Sequence, residues 1–280
     1  MAPRRFKQVD VFSRTPFKGN PVAVVLDAEG MTDDDMAAMA RWTNLSETTF
    51  VLPPQHPRAD YRVRIFTTLY EMPFAGHPTL GTCHAWLEAG GKPQGDDIIQ
   101  ECGVGLVRIR RDGGLLAFTA PPLVRSGPVD TSQAQIIRSA LGLTEADVLD
   151  AQWVDNGAGW LALRLARRDV VLGITPDFSK LGETPVGVFA GEDDVFEMRA
   201  FIAGDAMPED PVTGSLAAGI AMWLAKDGLA PDAYVIQQGR RLGRAGEIHI
   251  ARDADGIWIG GSALTLLDGV LHLPLTTAAE

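Results

Sequence analysis

Cysteine is scarce: Cys83 and Cys102 are the only two in 280 residues, and their spacing fits neither a metal site nor a redox pair. Cys83 falls in an apolar helix-like run and Cys102 ends a strand-like one, so both are expected as buried, reduced core residues. Basic charge is short as well. The net charge is −11, with no basic stripe to offset it, so phosphate backbones are repelled and nucleic acid is not an expected partner. Long apolar runs are missing. The longest uncharged one, Leu216–Ala225, is half of what a bilayer span needs, and the opening MAPRRFKQVDVF has no apolar signal-peptide core. A cytoplasmic protein with no membrane partner is the expectation.

Several site signatures are also lacking. His56, His77, His84, His249 and His272 do not approach metal-ligand spacing with Cys, Asp or Glu, so no metal is expected. No serine sits in a G-x-S-x-G elbow, and Gly103–Gly105 lacks the rest of a dinucleotide fingerprint. No lysine lies beside the motifs described below, which argues against a Schiff-base cofactor. The expected cofactor complement is none.

Hydrophobic residues at 46% and charged residues at 22% describe an ordinary globular chain with room for two domains. Short strand-like runs punctuated by Gly, Pro and Asp fill both halves, Tyr61–Phe66 alternating polar and apolar, and Val170–Ile174 reading as one more strand. Thr32 before Asp33, Asp34 and Asp35 marks an N-cap for a helix to about Trp42, and a second helix is expected from about Ser132 to Leu141. Two further helices, Pro78–Ala89 and Ser215–Lys226, are apolar on nearly all sides and must be surrounded by protein. Gly81 and Thr82 in one, and Ala217, Ala218 and Gly219 in the other, permit close approach of strands. The fold expected is α+β: two pseudo-symmetric lobes, each a barrel-like, mostly antiparallel sheet around a central apolar helix. The boundary is placed at Ala120-Pro121-Pro122, giving lobes 1–120 and 121–280, with the last strand, Val270–Leu275, completing the second or returning to the first.

Residues 71–81, EMPFAGHPTLG, and 205–216, DAMPEDPVTGSL, read as two versions of one device. In each an ionisable residue, His77 or Asp210, is followed by Pro, two residues and Gly, then by one of the apolar helices. Proline at the first helical position loses no helical hydrogen bond. The N–H groups around Gly76-His77 and Gly214-Ser215 are expected to point out of the helix ends, where they bind a carboxylate or stabilise developing negative charge. The duplication predicts that the two helix starts serve a common cleft. His77 can shuttle protons near neutral pH, Ser215 can donate a hydrogen bond, and Glu47 opens a strand after a helix–loop transition, where cleft residues sit.

These motifs resemble the phenazine biosynthesis PhzF-like family, a branch of the diaminopimelate epimerase-like fold. The resemblance runs through Val9–Phe12 with Gly19–Val24, Asn44–Thr48, Arg64–Thr67 leading to Pro73–Gly81, then Glu209–Ser215, Gln238-Gly239 with Gly243-Arg244, and Gly260-Gly261. It implies Glu47 as principal acid–base residue, with His77, Asp210 and Ser215 completing the catalytic set. It also implies substrate contacts from Gly76, Gly214, Ser46 and Asn20, and a homodimer. The activity implied is cofactor-independent isomerisation of a small carboxylate-bearing metabolite resembling trans-2,3-dihydro-3-hydroxyanthranilate. Epimerisation or racemisation of a small amino or hydroxy acid is the alternative, and a non-catalytic binding protein retaining the fold is another. Racemases of the same fold carry paired cysteines at the helix starts, where this chain has Gly76-His77 and Gly214-Ser215, with Cys83 inside the first helix. Thr68, where proline often stands, and Leu216, where alanine is usual, bear on substrate shape.

Overall fold

The computed structural model describes residues 3–204 and 208–273. The chain divides into two compact units, Met1–Phe118 with Gly261–Glu280, and Thr119–Gly260. The first contains β1 (Pro3–Val11), β2 (Asn20–Val25), α1 (Asp33–Thr43), β3 (Thr48–Leu52), β4 (Tyr61–Phe66), β5 (Glu71–Met72), α2 (Gly76–Glu88), β6 (Ile98–Cys102), β7 (Gly105–Asp112) and β8 (Leu115–Thr119). Strands β1 and β2 are antiparallel, β2 and β3 parallel across α1, and β3 and β4 antiparallel. One edge of β4 then serves two partners. Ile65 and Phe66 pair antiparallel with β5, while Tyr61 and Arg62 pair parallel with β6. An antiparallel meander through β7 and β8 completes the order.

The second unit contains β9 (Arg125–Pro128), α3 (Thr131–Ala140), β10 (Val148–Asp155), β11 (Leu161–Leu165), α4 (Arg168–Gly173), α5 (Phe178–Leu181), β12 (Val186–Glu192), β13 (Val195–Phe201), β14 (Glu209–Asp210), α6 (Gly214–Asp227), β15 (Ala233–Gln238), β16 (Gly246–Asp253) and β17 (Gly256–Gly261). From β10 to β17 it repeats the pairing scheme of β1 to β8 strand for strand. The β11–β12 pair is parallel across short helices, and β13 splits its edge between antiparallel β14 and parallel β15. β18 (Ala263–His272) pairs with β1, back in the first unit; of the strand expected at Val270–Leu275, residues 274 and 275 lie outside the described residues.

A clamp occurs twice. On β4, Arg64 grips Glu71 of β5 through two hydrogen bonds of 2.7 and 2.6 Å, and its guanidinium lies 5.0 Å from the centre of the Phe66 ring. On β13, Arg199 grips Glu209 of β14 through two bonds of 2.8 Å and lies 4.9 Å from the Phe201 ring. Such bidentate pairs fix geometry as well as contributing energy. They set the alignment of the duplicated segments, and it differs from the one the X-Pro-x-x-Gly pattern suggests. Glu71 corresponds to Glu209, Met72 to Asp210, Gly76 to Gly214 and His77 to Ser215. Asp210 therefore precedes its helix, whereas His77 lies within its own. Pro78 is the third helical residue, still in the first turn where a missing N–H costs nothing.

Other elements form for local reasons. Thr32 accepts from the Asp35 amide at 3.1 Å while the Asp35 carboxylate accepts from the Thr32 amide at 3.2 Å, a reciprocal cap on α1. Met36, Met39 and Ala40 on its inner face pack on Val25, Phe50 and Phe66. In the second unit α3, α4 and α5 cover a cluster built on Leu161, Leu163, Val186 and Val188. The run at Val170, expected as a strand, is α4, where Val171 packs into that cluster. Its apolar residues are too few to distinguish the two periodicities. Cys83 is buried and Cys102 only half-buried, and both are free thiols. No helix among the described residues is long and apolar enough to cross a membrane.

The two apolar helices are enclosed. α2 packs against β1, β2, β3, β6 and β18, with residues 76–83 buried without a break. α6 packs against β10 and β16, with residues 216–221 buried in the same way. Glycines at matching positions let the strands in. A Cβ on Gly81 would stand 2.4 Å from Val22 Cγ1, and one on Gly219 would stand 2.3 Å from the Val154 carbonyl oxygen. Gly219→Ala is expected to destabilise the protein by about 1–3 kcal/mol through overpacking against backbone. Gly173→Ala, where a Cβ meets nothing within 4 Å, should leave the melting temperature unchanged or slightly raised. Thermal melts of the two variants check both.

Candidate functional site

In the first unit the site is built on the start of α2. A buried chain of hydrogen bonds fixes that turn: Tyr61 Oη donates to Gln100 Oε1 at 3.0 Å, Gln100 Nε2 to Thr79 Oγ1 at 3.0 Å, and Thr79 Oγ1 to the Ala75 carbonyl at 2.9 Å. The N-cap residue is Ala75, which has no side chain to offer, and the first turn carries no acidic residue. The N–H groups of Gly76 and His77 therefore keep their charge-seeking character. Gly76 is the first helical residue and is buried.

Glu47 arrives from the other side. The left-handed Asn44 (φ 56°) ends α1, and residues 45–47 lead into β3, with Ser46 half-buried in this loop. Glu47 Oε2 stops 3.3 Å from His77 Nε2, with 14% of the Glu47 side chain and 6% of the His77 side chain exposed. Burial pushes the His77 pKa down to about 3, opposed only in part by the Pro21 carbonyl, which accepts from the ring. Nδ1 lies 3.4 Å from Asn20 Nδ2. Nε2 faces the Glu47 carboxyl group. A carboxyl group so placed beside an imidazole kept neutral by burial can give or take a proton at a substrate, with the ring as its polar neighbour.

Asn20 and Pro21 are held by the loop that precedes them. Asp10, 2% exposed, accepts from the amides of Lys18 and Gly19 at 3.0 and 3.1 Å, and Asn20 pairs with Val11 where β2 begins. Asn20 itself is fully buried. The first unit thus brings together Glu47, His77, Asn20 and Gly76.

In the second unit Asp210, Gly214 and Ser215 surround the start of α6. Asp210 Oδ2 accepts from Thr213 Oγ1 at 2.5 Å. Thr213 is the N-cap residue, yet it makes no capping bond. Gln238, 1% exposed, explains this. Its Oε1 accepts from the Thr213 amide at 2.8 Å, and its Nε2 donates to Thr213 Oγ1 at 2.9 Å and to the Asp210 carbonyl at 2.8 Å. Gly214 is buried at the first helical position and Ser215 is half-buried at the second. Ser215 is held from the β10–β11 turn, by Trp160 Nε1 donating to Oγ at 2.9 Å and Asn156 Nδ2 donating to the carbonyl at 2.8 Å. Thr213, Gln238, Trp160 and Asn156 are contacts that residue-by-residue reading misses. Of these, only Thr213 and the Gln238-Gly239 pair stand in recognisable motifs.

The chain has known relatives. The model of the phenazine biosynthesis-like protein family matches residues 9–269. Antisense-enhancing sequence 1 of Schizosaccharomyces pombe is 36% identical over 96% of this chain and 99% of its own length. The trans-2,3-dihydro-3-hydroxyanthranilate isomerase of Pseudomonas aeruginosa is 31% identical over 96% of this chain and 99% of its own. The crystal structure of a PhzF-family protein from Enterococcus faecalis matches with a TM-score of 0.79 at 25% identity, covering 97% of this chain and 100% of that one. Since the family match takes in Asn20, Glu47, His77, Asp210 and Ser215 alike, the chain belongs to the phenazine biosynthesis-like family.

Proposed function

We propose that this protein is an isomerase that moves a proton on a small carboxylate-bearing metabolite resembling trans-2,3-dihydro-3-hydroxyanthranilate, the compound named for the Pseudomonas relatives. The observation that carries the reading is the Glu47–His77 contact of 3.3 Å at an uncapped helix start. Glu47 takes a proton from a carbon activated by neighbouring unsaturation. Glu47 returns it, or one from solvent, elsewhere on the substrate, while His77 positions the substrate and helps relay protons. The amides of Gly76 and His77 stabilise the negative charge that develops. Ser46 and Asn20 contribute to substrate binding with Gly76 and Gly214. Asp210 and Ser215 complete the catalytic set, Asp210 steadied by Thr213 and Gln238. The residues at the matching helical positions are an imidazole and a hydroxyl, His77 and Ser215, which favours this chemistry over two-thiol racemisation.

Three outcomes are expected. Glu47→Gln should lower kcat by about 10²–10⁴-fold. It should also abolish deuterium incorporation when trans-2,3-dihydro-3-hydroxyanthranilate is incubated in D₂O; equal incorporation by variant and wild type removes Glu47 from the mechanism. His77, with its pKa near 3, should stay neutral from pH 5 to 8. The profile of kcat/KM should accordingly show no ionisation assignable to His77, as comparison with His77→Gln would reveal. Stability carries the opposite signature. Below the ordinary histidine value of 6.5 the unfolded chain takes up a proton at His77 that the folded chain refuses until about pH 3. Folding stability contributed by neutral His77 is therefore lost as pH falls through that window, by at most about 1.4 kcal/mol per pH unit. Denaturant titrations of His77→Gln should show a shallower loss between pH 6.5 and 4 than wild type.

A further inference from the structure

The turn between β10 and β11 has a compact internal design. The Asp155 carboxylate oxygen Oδ1 accepts from the amides of Gly157 and Gly159, both at 2.7 Å. Those glycines adopt φ of 115° and 77°, in the left-handed half of backbone space that other residues avoid. The residues flanking them, Asn156 and Trp160, both close on Ser215 of α6. Turn and helix residue are 55 or more positions apart in sequence, so the contact is tertiary.

The polarity of the Trp160 contact matters. An indole N–H donates and cannot accept, and a serine hydroxyl has one proton. Trp160 is 3% exposed, so its N–H needs an acceptor, and Ser215 Oγ at 2.9 Å is that acceptor. The bond occupies a lone pair of Oγ and leaves its proton to point elsewhere. Asn156 holds the Ser215 carbonyl at the same time, which fixes the backbone that carries the hydroxyl.

We infer that Trp160 is a positioning residue: its indole N–H locks Ser215 as a hydrogen-bond donor, committed to an acceptor oxygen of the substrate. The ligand class this selects is a carboxylate or developing oxyanion. A hydroxyl so locked binds an acceptor and is not poised as a nucleophile. The inference rests on the reading of Ser215 as a substrate-contacting residue given under Proposed function.

A double-mutant cycle on turnover of trans-2,3-dihydro-3-hydroxyanthranilate tests it, with kcat and KM determined separately for wild type, Trp160→Phe, Ser215→Ala and the double variant. Ser215→Ala is expected to lower kcat/KM about 10–100-fold, as for a hydrogen bond to a charged group, and Trp160→Phe about 3–10-fold, as for a neutral one. Trp160→Phe should have no further effect once Ser215 is alanine. Additive losses would show that Trp160 acts independently of Ser215 and overturn the inference while leaving the proposed function standing. Ser215→Ala with wild-type kinetics removes Ser215 from the reaction and the inference with it, and no turnover by wild type removes both readings. Should Trp160→Phe fail to fold, the Trp160 indole N–H resonance decides. In Ser215→Ala it should shift upfield and exchange faster with solvent than in wild type, and an unchanged resonance overturns the inference.

Discussion

A helix with no polar face has to be covered along its whole length, and that requirement shapes the rest of this molecule. α2 and α6 satisfy it by packing into strands at glycine contacts, Gly81 against Val22 and Gly219 against the backbone of Val154. Once the flanks are sealed, the helix end is the part left able to interact. Both ends are kept uncapped by different means. Ala75 has no capping group, and Thr213 has one but spends it on Asp210 under the control of Gln238. α1 and α3, by contrast, are capped by the side chains of Thr32 and Asp130.

Duplication of the pairing scheme preserved the scaffold and let the chemistry diverge. The Arg–Glu clamp with its aromatic neighbour survives in both units. So do the glycines at the first and sixth helical positions, 76 and 81 in one, 214 and 219 in the other. The reactive positions differ. Thr48 pairs with Phe66 as Val186 pairs with Phe201, so the place of Glu47 is taken in the second unit by Pro185. The place of His77 is taken by Ser215. The first unit thus holds a carboxyl group beside a base, and the second holds a hydroxyl fixed by an indole.

Burial decides what His77 is. An exposed imidazole titrates near neutrality and would sit beside Glu47 as half of an ion pair. Enclosed against Pro21 and Asn20, its charged form is penalised, so it remains neutral. The pair then differs in kind from the surface ion pairs elsewhere, such as Arg5 with Asp27, where full charge is tolerated because water screens it.

Much of this was legible in the residues. The strand pattern, the capped helix at Thr32, the two enclosed helices, the close-packing glycines and the candidates Glu47, His77, Asp210 and Ser215 all follow from local periodicity, turn chemistry and motif order, which depend on near neighbours in the chain. The short run at Val170 did not, because its pattern suits strand and helix equally and only the sheet beneath it selects the helix. Neither did the correspondence of His77 with Ser215, since an X-Pro-x-x-Gly match aligns His77 with Asp210, and only the Arg–Glu clamps across paired strands fix the true register. The protonation of His77, the diversion of Thr213 by Gln238 and the grip of Trp160 on Ser215 were decided by tertiary structure alone. Each depends on desolvation or on a hydrogen bond between residues far apart in sequence, and the sequence carries no local signal for either.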